Sequence, residues 1–451
     1  MTTTKPTKRI GINSFLNSAF KEFSLYDNVR SIPTLTDGFK PSQRKAIYGI
    51  QDRGENAPEL QVERLSAHIS AVTDYHHGTT SMESTVIGMA ANYPGTNNMN
   101  LLIPSGQFGS RLTKDAAASR YINTKFSENF RILFRKEDDV ILENIVVDGE
   151  KIEPKTYIPL LPMALINGSQ GTGTGHASLI MNYNPKEVAQ AILSVIKGKK
   201  LQDGTLKPWY RGFAGQIDRN PASGQISIRG ALKVVNANTI NITELPIGVY
   251  LDQYKDHLVK LEENGFIRDF EDRSTEEGFD FVVTVPRTTT ALDHETLMQK
   301  FKLISRDTEN YTLWNENGIL ERFTSAEQII ERFVAWRLSM YEVRRQTLIK
   351  HETEKERLLN EKLRFILFYL DNVDLFKNKT KDILIDTLLK NSFNDYDVLL
   401  QMPIWNLTKE KIEQISKQIE ACKATIASLV ATNANKMYTS ELNEALPKLP
   451  G

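Results

Sequence analysis

The sequence predicts a multidomain α+β protein, because three kinds of pattern follow one another along the chain. Its 451 residues are too many for one simple core. Short helical runs and turn-rich loops come first, strand-like alternation follows, and a long helical stretch without Gly or Pro comes last. We predict a first domain at 1–136, an α+β domain at 137–324, paired helices at 325–372 and 406–437, a helical knob at 373–405, and a tail at 438–451.

Short helices and loops are expected in the first domain. In DGFKPSQRKAIYGI, Pro41 stands where a helix can begin, since proline is tolerated in the first helical turn. The turn formers of NYPGTNNMN predict a loop. The apolar run from Thr85 to Ala91 suits a short buried helix.

The second domain has the signals of strands and turns. IRGALKVV, NTINITELP and GFDFVVTVPR contain β-branched residues in alternation, which is typical of strands. NENG at 315–318 predicts a hairpin turn.

A long helix is predicted from Ser325, because Ser325 and Gln328 have capping-box spacing. A second helix begins near Thr408, and its apolar residues recur at alternating intervals of three and four, as in a coiled coil. These seam positions are Ile412, Ile415, Ile419, Cys422, Ile426 and Leu429. Two arrangements fit this periodicity equally well: an antiparallel arm with an interaction tip, or two helices of a compact bundle.

Charge is distributed unevenly, although the formal net charge is +0. Residues 1–136 contain 17 Lys and Arg against 11 Asp and Glu, a net charge of +6, so the remainder carries −6. This asymmetry indicates a local polyanion site, with chance as the bland alternative. Cys422 is the single cysteine, which excludes an internal disulfide and suits a reducing cytoplasm. Neither a membrane span nor a signal-peptide start is recognisable.

Two candidate clusters of this basic region lie in its first half. Lys40, Arg44 and Lys45 form one cluster, in which Arg44 and Lys45 would project to one side of a helix that begins at Pro41, either to grip phosphate or simply into solvent. His76 and His77 are adjacent, which is a poor arrangement for sharing one metal ion. Contact with phosphate is the better functional interpretation of the histidines, and a plain loop pair is the alternative.

The third cluster surrounds a tyrosine. Arg111, Lys114 and Arg120 accompany Tyr121 after the turn SGQFGSR. A structural tyrosine favours apolar neighbours, whereas a nucleophilic one reacts as the oxyanion, which nearby positive charge favours.

Other site signals are absent from the sequence. No GxxxxGK[ST] motif predicts an ATP-binding P-loop, and NGSQGTGTG at 167–175 lacks the dinucleotide-binding spacing. Asp138 and Asp139 are adjacent, so their side chains diverge in regular structure. We expect no metal site within this chain.

Ordered motifs resemble the DNA cleavage and rejoining core of type IIA topoisomerases. They are DGFKPSQRKAIYG, YHHG, NLLIPSGQFGSR, AAASRY, IEPKTYIPLLPMALINGSQGTGTG, PWYRGF and ITELP. The resemblance covers roughly residues 30 to 340 in order, and the predicted helical arm fits the same architecture. It implies a winged-helix cleavage domain, an α/β tower and a coiled-coil arm that ends in a dimerisation gate.

The resemblance also assigns site residues. Tyr121 would attack a DNA phosphate to leave a 5′-phosphotyrosyl link and a free 3′-hydroxyl, and Arg120 is the neighbouring arginine of the family motif. Arg44 and a histidine of the pair His76/His77 would stabilise the phosphate. DNA contacts are expected from Lys40, Lys45, Arg111, Lys114, Lys125 and Thr172. Thr80, Ser81 and Ser84 begin the helix where the poison-binding residues of the family lie.

Partners are implied as well. The family requires Mg²⁺, held by acidic residues of a Toprim domain, and ATP, bound by an ATPase domain; neither domain is recognisable here. The chain is similar to the breakage-reunion subunit of a split enzyme, such as gyrase A or the medium subunit of T-even-type phage topoisomerases. We therefore expect a homodimer that acts on double-stranded DNA with an ATPase/Toprim subunit, in the cytoplasm of the host if a phage encodes it.

The residues of the motifs resemble those of eukaryotic and phage enzymes more than those of gyrase, and no segment for a DNA-wrapping domain is seen. Relaxation and decatenation are therefore expected rather than supercoiling. Thr172 occupies the position of the family's isoleucine wedge, and threonine is a poorer wedge between base pairs. A non-catalytic, architectural DNA-binding protein of the same fold is the alternative, and a tyrosine recombinase fits the ordered motifs poorly.

Overall fold

The computed structural model describes residues 11–403 and 408–451. They form two compact units, the first holding the chain up to Arg337 together with Glu441–Gly451, and the second Leu338–Ser440. Helices and antiparallel sheets are both present, as the sequence predicts. The division into two units is coarser than the five predicted parts of the chain, which stay predictions.

Eleven α-helices are described wholly within the first unit. They are α1 (Ile12–Asn17), α2 (Ala19–Ser31), α3 (Pro41–Asp52), α4 (Val62–Val72), α5 (Thr79–Ala90), α6 (Glu128–Leu133), α7 (Met163–Ile166), α8 (Pro185–Ile196), α9 (Leu251–Glu263), α10 (Arg287–Thr290) and α11 (His294–Lys300). Pro41 begins α3 as predicted, and the side-chain oxygen of Gln43 accepts the backbone N–H of Lys40. The apolar run predicted as a buried helix lies in α5.

The named strands of the first unit pair with one another in antiparallel fashion, and Trp314 also forms an isolated parallel bridge with Thr34. The strands are β1 (Leu60–Gln61), β2 (Asn123–Thr124), β3 (Asn144–Val147), β4 (Glu150–Pro154), β5 (Ser169–Gly173), β6 (His176–Ile180), β7 (Gln216–Arg219), β8 (Ile226–Arg229), β9 (Ala231–Asn236), β10 (Thr239–Glu244), β11 (Asp269–Asp272), β12 (Phe281–Thr284), β13 (Ile304–Asp307), β14 (Thr312–Trp314) and β15 (Leu320–Arg322). The largest sheet has the order β11-β12-β10-β9, and a second has β13-β8-β7. The predicted NENG turn joins β14 to β15.

Two regions of packing matter for the site. Helices α3, α4 and α5 bury their apolar faces together, and Gly49 of α3 allows a close approach to α4, because a Cβ there would lie 2.7 Å from a side-chain carbon of Ile69. The four-stranded sheet packs against α9 and α11 through a core that includes Ile240, Phe281, Leu258 and Met298.

The long helix α12 (Ala326–Asp371) begins where the sequence predicts. The hydroxyl of Ser325 accepts the backbone N–H of Gln328 at 3.2 Å, which is half of the predicted capping box. The side chain of Gln328 accepts the backbone N–H of Thr324, one residue earlier than a capping box requires.

The second unit is helical in its described part. It contains most of α12, then α13 (Lys381–Lys390), α14 (Tyr396–Leu400), α15 (Lys409–Ala431) and the first part of α16 (Ala434–Ala445). Ile415, Ile419 and Cys422 of the seam on α15 are buried, and the first two pack with Ile366 of α12. The two helices therefore share the apolar seam that the spacing predicts.

Candidate active site

Tyr121 stands at the end of a turn, immediately before the short strand β2. Backbone N–H groups of Val62 and Glu63 donate to the carbonyls of Ile122 and Ser119, at 3.0 and 3.3 Å, and so fasten both sides of the tyrosine to α4. Ile122 is buried, which anchors the strand. The backbone at Tyr121 is thus held firmly although its side chain projects outward.

The side chain of Tyr121 is 69% exposed. The guanidinium carbon of Arg120 lies 4.8 Å from the centre of its ring, and the side-chain amide of Gln61 donates to the Arg120 carbonyl at 3.0 Å. A large aromatic side chain in solvent, with a positive charge against its ring, has no packing role. The arrangement suits a phenol that must reach an anionic substrate.

His77 lies in a second cluster, which joins α2 to the loop before α5. The Tyr26 hydroxyl is 2.6 Å from Nε2 of His77, and the Tyr75 ring meets the imidazole edge-on at a centroid distance of 5.3 Å. Although His77 is exposed overall, the burial of part of its side chain, followed by the nearby Arg30, His76 and Lys45, lowers its pKa below the ordinary value. The lowered pKa favours the neutral imidazole at neutral pH.

His76 points to a different partner. Its Nε2 lies 2.9 Å from a carboxylate oxygen of Asp74, a residue in the left-handed backbone region at φ 51°. The sequence left open which histidine serves the site. The structure places His77, and not His76, in the cluster with Tyr26.

The predicted poison-binding residues lie at the start of α5. Thr80, Ser81 and Ser84 are exposed, and the Tyr75 hydroxyl donates to the Ser81 hydroxyl at 2.9 Å. Gly78 precedes the helix at φ 84°, and no side chain caps its first turn. The free N–H groups of such a turn favour anions.

The surroundings of Arg44 and Lys45 correct the expectation that they project together toward phosphate. The guanidinium of Arg44 donates two hydrogen bonds to the carboxylate of Asp37, at 2.7 and 2.9 Å, and Asp37 is fully buried. The Lys45 amine lies 2.8 Å from Glu153 and also donates to the Thr73 carbonyl. Both cations neutralise buried carboxylates, which is how buried charges are usually tolerated.

Lys40 contacts the β5–β6 hairpin, which carries Thr172. The Lys40 amine donates to the Gln170 carbonyl at 2.8 Å, and burial lowers its pKa. Thr172 is exposed on β5 and pairs with Ala177 of β6. A Cβ at Gly171 would collide with the Ser31 carbonyl, so the hairpin can approach α2 only with glycine there.

Of the remaining predicted DNA contacts, Arg111 is the least accessible. Its guanidinium donates to the Leu245 carbonyl at 2.8 Å, lies 3.2 Å from Glu244, and stacks over Phe279. These contacts tie the tyrosine-bearing segment to the four-stranded sheet, so they do not support the expected DNA contact. Lys114 is exposed, with its amine beside the Tyr250 ring. Lys125 is partly exposed, and its amine lies 3.6 Å from a carboxylate oxygen of Glu59.

Sequence reasoning missed Tyr26, Arg30 and Asp37. Tyr26 and Arg30 are four residues apart on α2, and the guanidinium carbon lies 5.9 Å from the centre of the ring. An aromatic residue and an arginine at this helical spacing are a weak local signal. Nothing in the sequence connects them to a histidine about fifty positions later.

Three absences concern the described residues alone. Residues 11–403 and 408–451 contain no group of three or more His, Cys, Asp or Glu side chains that could hold a metal ion. None of the described helices is both long enough and apolar enough to cross a membrane. Within the same ranges, no hydrogen bond, ion pair or ring contact joins the Tyr121 cluster to the His77 cluster.

The fold that carries the exposed tyrosine–arginine pair is shared with a known protein family. The family model for the A subunit of DNA gyrase/topoisomerase IV matches residues 30–445, and the chain belongs to that family.

Known relatives agree with this assignment. The chain is 34% identical to DNA topoisomerase 2 of Arabidopsis thaliana, over 98% of this chain and 33% of the relative. It is 32% identical to human DNA topoisomerase 2-beta, over 97% of this chain and 30% of the relative. The chain thus spans about a third of the length of these curated relatives.

A solved structure is similar as well. The DNA-binding, cleavage and re-ligation domain of Plasmodium falciparum topoisomerase II superimposes with a TM-score of 0.89 and 34% identity. The match covers 96% of this chain and 64% of that one.

Proposed function

We propose that this chain is the DNA cleavage and rejoining part of an ATP-dependent type IIA topoisomerase. The observation that carries the proposal is the exposed Tyr121 with Arg120 against its ring, in a fold similar to a topoisomerase II cleavage domain. We interpret the tyrosine-bearing region as a winged-helix domain, the sheets between residues 137 and 324 as the tower, and α12 with α15 as the arm.

In the proposed reaction, the phenolate oxygen of Tyr121 attacks a backbone phosphorus of DNA. A bond forms from this oxygen to phosphorus, the bond to the 3′-oxygen breaks, and the departing 3′-oxygen takes up a proton. The product is a 5′-phosphotyrosyl link, and the reverse attack by the 3′-hydroxyl restores the DNA. Arg120 supplies positive charge beside the reacting oxygens.

The cluster around His77 is proposed as the second part of the site. Arg30 brings positive charge to it, the lowered pKa of His77 favours its neutral imidazole, and the first turn of α5 offers free backbone donors. Since no contact joins it to Tyr121 in the described residues, we propose that a homodimer brings the two clusters to one DNA. Each tyrosine would then cut one strand of the duplex.

Further contacts and partners are part of the proposal. The accessible amines of Lys114 and Lys125 suit DNA phosphates, and Thr172 lies on the exposed hairpin proposed to meet the duplex. Mg²⁺ and ATP would be bound by an ATPase/Toprim partner, because the described residues offer no fitting metal site. No step above is assigned to the metal ion.

Covalent trapping tests this function. The chain is mixed with a Toprim-bearing partner, supercoiled DNA and Mg²⁺, quenched with detergent, and digested to peptides. We expect a DNA-linked peptide that contains Tyr121, which disappears in Tyr121→Phe and without the partner. Tyr48→Phe is the matched control, because its hydroxyl donates to the Lys151 carbonyl, at 3.0 Å, and to no group of the site.

DNA binding without any covalent link, across candidate partners, would overturn the enzymatic proposal and favour the architectural alternative. A link that survives Tyr121→Phe would show that another residue is the nucleophile.

A further inference from the structure

The hydrogen bond between Tyr26 and His77 is not required to satisfy a buried polar group. Tyr26 is 51% exposed, so burial does not force its hydroxyl to find a partner. The two residues are 51 positions apart and come from α2 and from the loop before α5. Yet the oxygen and Nε2 lie 2.6 Å apart, at the short end of hydrogen-bond distances.

The charges around His77 decide its protonation state. Arg30 and Tyr26 face it from α2, Lys45 from α3, and Tyr75 and His76 from its own loop. The partial burial and positive charges described above favour the neutral ring at neutral pH. A neutral imidazole has one nitrogen that donates and one that accepts.

The identity of the donor follows from chemistry. A phenol hydroxyl is a stronger hydrogen-bond donor than a neutral imidazole N–H, and an unprotonated ring nitrogen is a stronger acceptor than a phenol oxygen. The Tyr26 hydroxyl therefore donates to Nε2, and the proton of the ring resides on Nδ1. Tyr75, whose ring is inclined at 74° to the imidazole, restricts rotation from the other side.

We propose that Tyr26 is a positioning residue that fixes His77 as the neutral tautomer protonated at Nδ1, so that this N–H is presented to a DNA phosphate oxygen. The inference rests on the proposed function and deepens it. Within residues 11–403 and 408–451, Nδ1 of His77 has no hydrogen-bond partner, so it is available to a ligand. Tyr26 itself acts through His77 and takes no part in bond breaking.

A double-mutant cycle tests the coupling in the assembled enzyme. Cleavage rates of Tyr26→Phe, His77→Ala and the double variant are compared with the wild type, by trapping the phosphotyrosyl link at saturating DNA. Removing one hydrogen bond of ordinary strength predicts a rate about 3- to 10-fold lower for Tyr26→Phe. If Tyr26 acts only through His77, adding Tyr26→Phe to the His77→Ala variant should not lower the cleavage rate any further.

A spectroscopic measurement reads the tautomer directly and does not require activity. In protein labelled with ¹⁵N-histidine, the His77 ring should show Nδ1 protonated and Nε2 as an acceptor at neutral pH. Tyr26→Phe should move both resonances toward a tautomer mixture. Tyr48→Phe, which removes a hydroxyl from another partly exposed tyrosine, should leave them unchanged.

The outcomes separate the inference from the function it rests on. If the wild type forms no phosphotyrosyl link with any partner, the proposed function fails. The ¹⁵N resonances of His77 would then still test whether Tyr26 fixes the tautomer. If the link forms but the losses from Tyr26→Phe and His77→Ala multiply, Tyr26 does not act through His77 and the inference is overturned. A protonated Nε2 in the wild type would overturn it as well.

Discussion

Removing the carboxylate of Asp37 should destabilise the first unit strongly. Asp37 is fully buried and accepts hydrogen bonds from Arg44, the Thr34 hydroxyl and the backbone N–H groups of Phe39 and Tyr157. Asp37→Asn leaves the Arg44 guanidinium buried without its counter-charge, and such a loss costs about 3–5 kcal/mol of unfolding free energy.

The pH dependence of this effect has a definite sign. Burial raises the pKa of Asp37, but the charge and hydrogen bonds of Arg44, with those of Thr34 and Tyr157, outweigh it and hold the pKa below its ordinary value. The contribution to stability is therefore fully present above the unfolded pKa of about 3.9 and is lost as the pH falls through the folded value. The difference between wild type and Asp37→Asn should be constant near neutral pH and shrink in acid.

Urea unfolding followed by tryptophan fluorescence measures the effect, because Trp209, Trp314 and Trp336 lie in the first unit. Glu143→Gln is the control: its ion pair with Lys155 is exposed on both sides, so it should lose at most about 1 kcal/mol. Equal losses in the two variants, or a loss below about 1 kcal/mol for Asp37→Asn, would refute the reasoning.

Two further substitutions test local geometry by the same urea assay. Gly171→Ala should lower the stability of the first unit, because the added Cβ would collide with the Ser31 carbonyl. Gly88→Ala should be neutral or stabilising by up to about 1 kcal/mol, since its added Cβ would have open space on a helix. A larger loss of stability in Gly88→Ala than in Gly171→Ala would contradict the hairpin packing. Ser325→Ala should cost about 1 kcal/mol by removing the acceptor for the Gln328 N–H, and an unchanged midpoint would show that the first turn of α12 needs no cap.

The sequence predicted the parts of the fold that local patterns determine. Strands β8, β9, β10 and β12, the NENG turn and the start of α12 all follow from alternation, turn residues or capping within a few positions. The apolar seam on α15 was also predictable, because apolar residues that recur at intervals of three and four lie on one face of a helix, and that face is buried.

The site was only partly predictable, because its partners come from distant segments. Arg44 and Lys45 were expected to project from a helix toward phosphate, with a solvated face as the alternative, but Lys45 pairs with Glu153, which lies 108 positions away. Arg111 is likewise held by groups more than 130 positions away. Local sequence shows that a cation is present; whether a buried carboxylate already neutralises it depends on tertiary packing.

The burial of Cys422 has a practical consequence for measuring motion. It is the only cysteine of the chain, its exposed fraction is 2%, and burial together with Glu352 raises the pKa of its thiol, so the reactive thiolate is disfavoured. A thiol introduced at exposed Ser84 or Thr172 would therefore take up a maleimide dye or spin label almost alone. Distances between two such probes could then follow the opening of a dimer without first removing a native cysteine.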